Sequence, residues 1–149
     1  VAVPEASENR VLDAVLLLLQ GIGTPAGSWL TAPTVAEGIP PDIVPVADKT
    51  VVYLHHVRTD ETPPEAGVRS HYFRLRYAVW IFGPTPRVIC SVKADVLRAL
   101  FAGEGSLTTA FAQPAFPSEF VQLDDMSHAG AAAGRMDLFI DLEISHSAP

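Results

Sequence analysis

The run from Tyr72 to Phe82 alternates in the manner of a strand: Phe73, Leu75, Tyr77, Val79 and Ile81 share one face, as the two-residue repeat of extended chain requires of side chains on a core. The other face carries Arg74, Arg76, Trp80 and Phe82. A face that meets only water has no need of Trp and Phe, whereas surfaces that dock on other proteins are enriched in aromatics and Arg. The pattern predicts a sheet with one face on a core and the other made for contact.

The neighbouring segments supply the rest of such a fold. A helix is expected from about Ala6 to Gln20, with Ser7 as cap, Gly21 and Gly23 as stop, and Val11, Leu12, Val15, Leu18 and Leu19 on one face. Leu17 falls among the polar residues of that helix and reads as a single exposed leucine. Residues 22–49 hold Pro33, Gly38, Pro40, Pro41 and Pro45 and read as extended chain, with a short sheet-edge pairing over Asp42 to Val46. Thr34 and Glu37 have capping-box spacing, but Gly38 and Pro40 follow too soon for a helix.

Thr50 to Val57 reads as a strand. The polar stretch Arg58 to Ser70 reads as a projecting arm that leads into the long strand, and its acids Asp60, Glu61 and Glu65 are candidate contacts with a neighbouring subunit. A second helix is expected over Pro86 to Ala102, capped by Thr85 and stopped by Gly103. Val88, Ile89, Val92, Val96, Ala99 and Leu100 form its sheet-facing side. Cys90, Ala94, Leu97 and Phe101 form a second stripe for the first helix or another subunit to cover.

Residues 104–118 read as a loop with Phe111 and Phe116 as apolar anchors. A closing hairpin pairs Glu119–Met126 with Met136–Ser145 through a small-residue connection, Ala129 to Gly134. Met136, Leu138, Ile140, Leu142 and Ile144 share one face; Asp137, Phe139, Asp141 and Glu143 share the other. If this strand lies beside the long one, Asp141 and Glu143 meet Arg74 and Arg76, and Phe139 extends the Trp80 and Phe82 patch. The fold class expected is α+β: a mixed or antiparallel sheet of about four main strands, with two helices on one face.

With 149 residues, 48% of them apolar, the whole chain suits a single domain with its own core. A net charge of −7 argues against binding nucleic acid through its phosphates. One cysteine excludes an internal disulfide. The opening VAVPEASENR lacks the basic start of a secretory leader, and the most apolar run, Val11 to Leu19, is too short to span a membrane, so a soluble protein is expected.

Signals for catalysis are sparse. His55 and His56 are adjacent on a strand and so point to opposite faces, which prevents joint chelation; His71 is near enough in the hairpin to suggest a two-histidine site, without a third ligand. Cys90 reads as a small core residue, although His55 or His128 would be needed as its base in a cysteine hydrolase. Asp124 with Asp125, and Asp141 with Glu143, read as strand-end charges and cross-strand partners. Phosphate loops, dinucleotide fingerprints, zinc motifs and repeats are all missing from the sequence, so no catalytic residue, cofactor or metal is expected.

The order VLDAVLLLLQGIG, IPPDIVPV, HYFRLRYAVWIFG, VKADVLRAL and RMDLFIDLEIS resembles the tail terminator proteins of long-tailed bacteriophages, the family of minor tail protein U-like subunits. Most of the chain takes part, through order, length and apolar pattern and without a diagnostic motif. The resemblance implies a structural, non-enzymatic virion protein at the head-proximal end of the tail. It implies a homohexameric ring that caps the tail tube, ends tube growth and offers a surface to the head-tail connector while DNA passes through. A neck or head-tail joining protein is the near alternative; a small hydrolase or ligand-binding domain using Cys90, His55 or His71 is the distant one. The contact residues expected are Trp80, Phe82, Phe139, Arg74, Arg76, Asp60, Glu61, Glu65, Phe111 and Phe116.

Overall fold

A computed structural model describes residues 7–22, 33–42, 49–62, 70–102, 115–124 and 132–145. The long alternating run is the spine of a sheet, as its pattern requires. Among the described residues seven elements follow in order: α1 (Ser7–Gln20), β1 (Thr34–Glu37), β2 (Val51–Thr62), β3 (Ser70–Gly83), α2 (Pro86–Ala102), β4 (Ala115–Asp124) and β5 (Ala132–Ser145). The sheet order is β1-β2-β3-β5-β4, mixed because β1 runs parallel to β2 while every other pairing is antiparallel. α2 carries the chain from β3 to β4, and β5 inserts between them, a split β-α-β arrangement.

Both helices lie on the face that carries Leu75, Tyr77, Val79 and Ile81. From α1 come Val11, Leu12, Val15 and Leu19; from α2 come Ile89, Val92, Val96 and Leu100; from β5 come Met136, Leu138 and Ile140, all in one buried cluster. Burying each large aliphatic side chain stabilises by about 1.5–3 kcal/mol, so this layer supplies the main driving force. Tyr77 fits there because its hydroxyl donates to the Glu8 carbonyl oxygen at 2.6 Å, which ties the start of α1 to β3. Burial, reinforced by the nearby Glu8 charge, raises the Tyr77 pKa and keeps the phenol neutral.

The helices begin and end as local chemistry dictates. Thr85 Oγ1 accepts a hydrogen bond from the Val88 N–H at 3.3 Å, and Pro86 opens α2, where its missing N–H costs nothing. α1 closes through N–H bonds from Gly21 to Leu18 and from Ile22 to Leu19. Leu17 is 70% exposed, as its place on the polar side of α1 predicts. No described helix is long and apolar enough to cross a membrane.

The strands run further than their alternation does. β2 continues from Val57 to Thr62, so Arg58, Thr59, Asp60, Glu61 and Thr62 belong to the sheet and not to an arm. The cause is a bulge between His56 and Arg58: the extra residue, Val57, shifts the inside-outside register by one and makes the pattern look finished. β5 likewise starts at Ala132, so Ala132, Ala133 and Gly134 are paired strand residues instead of a connection. β4 begins at Ala115, and Phe116 therefore sits in a strand instead of a loop. It lies in register with Phe139, before a bulge between Pro117 and Glu119 on this outer strand.

A fifth strand, β1, joins the expected four; flanked by Pro33 and Gly38, its four residues give alternation no room to show. Gly38 ends it at φ 120°, a conformation that suits glycine, and donates its N–H to the Leu54 carbonyl. Thr34 and Glu37 are the ends of this strand and make no helix cap. The pairing expected over Asp42 to Val46, apart from Asp42, lies outside the described residues.

Gly134 shows a close approach. An alanine Cβ there would collide with the Phe120 ring edge, within 2.8 Å of Cε2, and come within 3.2 Å of Ile89 Cγ2. The ring covers the glycine while Lys93 Nζ lies 4.9 Å from its centroid. Replacing Gly134 with Ala should cost about 1–3 kcal/mol, read as a lower urea midpoint at unchanged m-value.

Candidate functional site

The face of the sheet opposite the helices is built row by row by the antiparallel registers. Val51, Phe82 and Ala133 make the first row, Tyr53, Trp80 and Arg135 the second, His55, Ala78 and Asp137 the third. Beyond the β2 bulge, Arg58, Arg76 and Phe139 make the fourth row, and Asp60, Arg74 and Asp141 the fifth. One end is therefore apolar, and the other carries arginines and aspartates of both signs around Phe139.

The apolar end differs from expectation. Phe82 is 2% exposed: it packs with Val51 and Ala133, meets the Tyr53 ring edge-on at 5.9 Å and stacks on Trp80 at 6.3 Å. It is a core residue of a second, small cluster and leaves the surface to Trp80, which is half-buried. Phe139 does not extend this patch, because the register sets it two rows away, opposite Arg76. Arg74 and Arg76 lie 5.5 Å and 5.9 Å from its ring centroid, so two cations contact the ring.

The charged groups are ordered against each other. Arg74 donates to Asp141 from Nε at 2.8 Å and from its terminal nitrogen at 3.2 Å, a forked pair that raises the Arg74 pKa. Both side chains are about half exposed and solvent-screened, so this pair sets register more than it adds stability. Arg76 pairs with Asp137 at 2.5 Å and not with Glu143, which the register sets opposite Tyr72.

Asp137 also accepts from Arg135 Nε at 2.9 Å, and Arg135 lies 5.1 Å from the Trp80 ring centroid. Burial alone would push the Asp137 carboxyl up; hydrogen bonds from Arg76 and Arg135, with their charges, outweigh it and hold Asp137 below the usual carboxylate range. Asp60 accepts from Arg58 Nε at 2.7 Å, both side chains exposed.

Asp137 stands on the face that the alternation predicts, while its partner Arg135 precedes the stretch read as strand. Carrying the Met136 alternation back through Gly134 would have placed Arg135 on this face. Glu61 occupies a β2 position opposite Phe73, and Phe116 a β4 position opposite Phe139; Glu65 and Phe111 lie outside the described residues.

The catalytic candidates do not converge. His55 shares the open face with Trp80, while Cys90 stands on α2 in the helix layer, on the other side of the sheet. Cys90 is exposed and not a core residue: its thiol is directed at Gln122 Oε1 on β4, 3.8 Å away. His56 points away from His55, bonded to Thr59 Oγ1 at 2.8 Å and edge-on to Tyr77. His71 is a β3 residue paired with Ile144; His128 and Asp125 lie outside the described residues. Among the described residues no three of His, Cys, Asp and Glu cluster as metal ligands would.

Comparison with protein-family models and with curated proteins finds no match for this chain.

Proposed function

We propose that the chain is a structural virion protein: a tail terminator subunit whose copies form a ring, six in the family it resembles, on the last ring of the tail tube. The ring ends tube polymerisation and presents a surface to the head-tail connector. The observation that carries this reading is the open sheet face, where Trp80 and Phe139 are half-buried and braced by three guanidiniums. Aromatic and Arg side chains already held in place lose little freedom on docking, which favours a contact surface. The element order of the resemblance gives the direction, and the net charge of −7 suits a channel that DNA traverses without adhering.

Binding of the purified chain to purified tail-tube ends tests the reading. Phe139→Ser with Trp80→Ala should weaken binding by roughly 30-fold or more, the loss of one strong contact centre, while circular dichroism reports an intact fold. Unchanged binding by the folded double variant would refute a role for this face.

A further inference from the structure

We propose that His55 is a protonation switch that holds the Trp80 indole in place on the open face and releases it on acidification. Trp80 Nε1–H lies 3.2 Å from His55 Nε2, and an indole nitrogen can only donate, so His55 Nε2 must be a bare lone pair. The other ring nitrogen, Nδ1, lies 3.4 Å from the His56 carbonyl oxygen, which can only accept, so the ring proton sits on Nδ1. Both contacts select one neutral tautomer. Adding a proton sets N–H against N–H and removes the acceptor that the indole has among the described residues.

Among the described residues, no carboxylate on this face is left over to compensate an imidazolium at His55. On the same face β2 places Tyr53, Arg58 and Asp60, β3 places Arg74 and Arg76, and β5 places Arg135, Asp137 and Asp141; β1 contributes Thr34 and Ala36, which do not titrate. Asp60 is engaged by Arg58, Asp141 by Arg74, and Asp137 by both Arg76 and Arg135. The Arg135 cation already lies over the Trp80 ring. A second cation at the indole edge therefore acts against the closed arrangement, and the indole leaves its stack on Phe82. The face thus presents different aromatic surface on the two sides of histidine titration, independently of what docks on it.

Nuclear magnetic resonance of the 15N-labelled chain tests this, with the Trp80 indole signal assigned against Trp80→Phe because Trp29 gives a second one. The expected result is the Nδ1–H tautomer of His55 at the alkaline end. A one-proton upfield shift of the Trp80 indole signal should accompany protonation of the His55 ring, abolished in His55→Gln and kept in His56→Gln. An Nε2–H tautomer, a Trp80 signal that stays constant while His55 titrates, or the same transition in His55→Gln would overturn the proposal. Should His55→Gln fail to fold, the tautomer and titration in the unaltered chain decide.

Discussion

Replacing Leu138 with alanine should destabilise the protein by about 2–5 kcal/mol, the largest effect expected of any single change considered. Leu138 is fully buried at the centre of β5, flanked by Met136 and Ile140 on the helix-covered face. Truncation there loses the transfer energy of the removed carbons and leaves a hole that neighbours on paired strands cannot close. Domains of this size are stable by only about 5–15 kcal/mol, so a substantial part of the total is at stake. Urea denaturation reads it directly. Leu17→Ala, at a position 70% exposed, is the internal comparison and should change stability by less than about 0.5 kcal/mol.

Replacing Asp137 with asparagine comes next, at about 1.5–3 kcal/mol near neutral pH, because one carboxylate holds Arg76 and Arg135 and its loss leaves two partly buried guanidiniums without their anion. The pH dependence has a definite sign. The folded pKa of Asp137 is depressed, so its contribution is present above the unfolded carboxylate value near pH 4 and is lost as pH falls through the lower folded value. The difference between wild type and Asp137→Asn should therefore be full at pH 7 and shrink below about pH 4. A difference that stays constant down to pH 2 would show that Asp137 acts through packing alone.

Much of the fold was legible because period and caps speak locally. The Val11, Leu12, Val15 and Leu19 stripe placed α1, and Thr85 with Pro86 placed the start of α2. β3 and the far half of β5 announced themselves by strict alternation, which also placed Arg74 beside Asp141 once the two strands were neighbours. What stayed hidden depends on breaks in that period. The bulge at Val57 concealed five further residues of β2, and the bulge beside Pro117 concealed the start of β4. Ala132, Ala133 and Gly134 have side chains too small to signal a strand, yet Gly134 is needed because Phe120 lies across it.

The site was legible in type and not in detail. Trp80, Phe139, Arg74 and Arg76 stand on the expected face, while Phe82, on the same side by parity, is enclosed by Tyr53, Val51 and Ala133 from other strands. Cys90 shows the converse: its stripe on α2 is apolar in sequence, but the stripe faces the β4 edge at that turn, and the thiol is left exposed. Burial of one residue by strands distant in sequence depends on register, and register is not a local property.

The open face as an assembly surface is tested most directly by cryo-electron microscopy of virions that carry the chain. The expected result is a ring of this subunit at the head-proximal end of the tail tube, with Trp80 and Phe139 covered by an adjacent polypeptide. Density for the chain against the portal, or a tube-end ring in which both side chains face solvent, would contradict it.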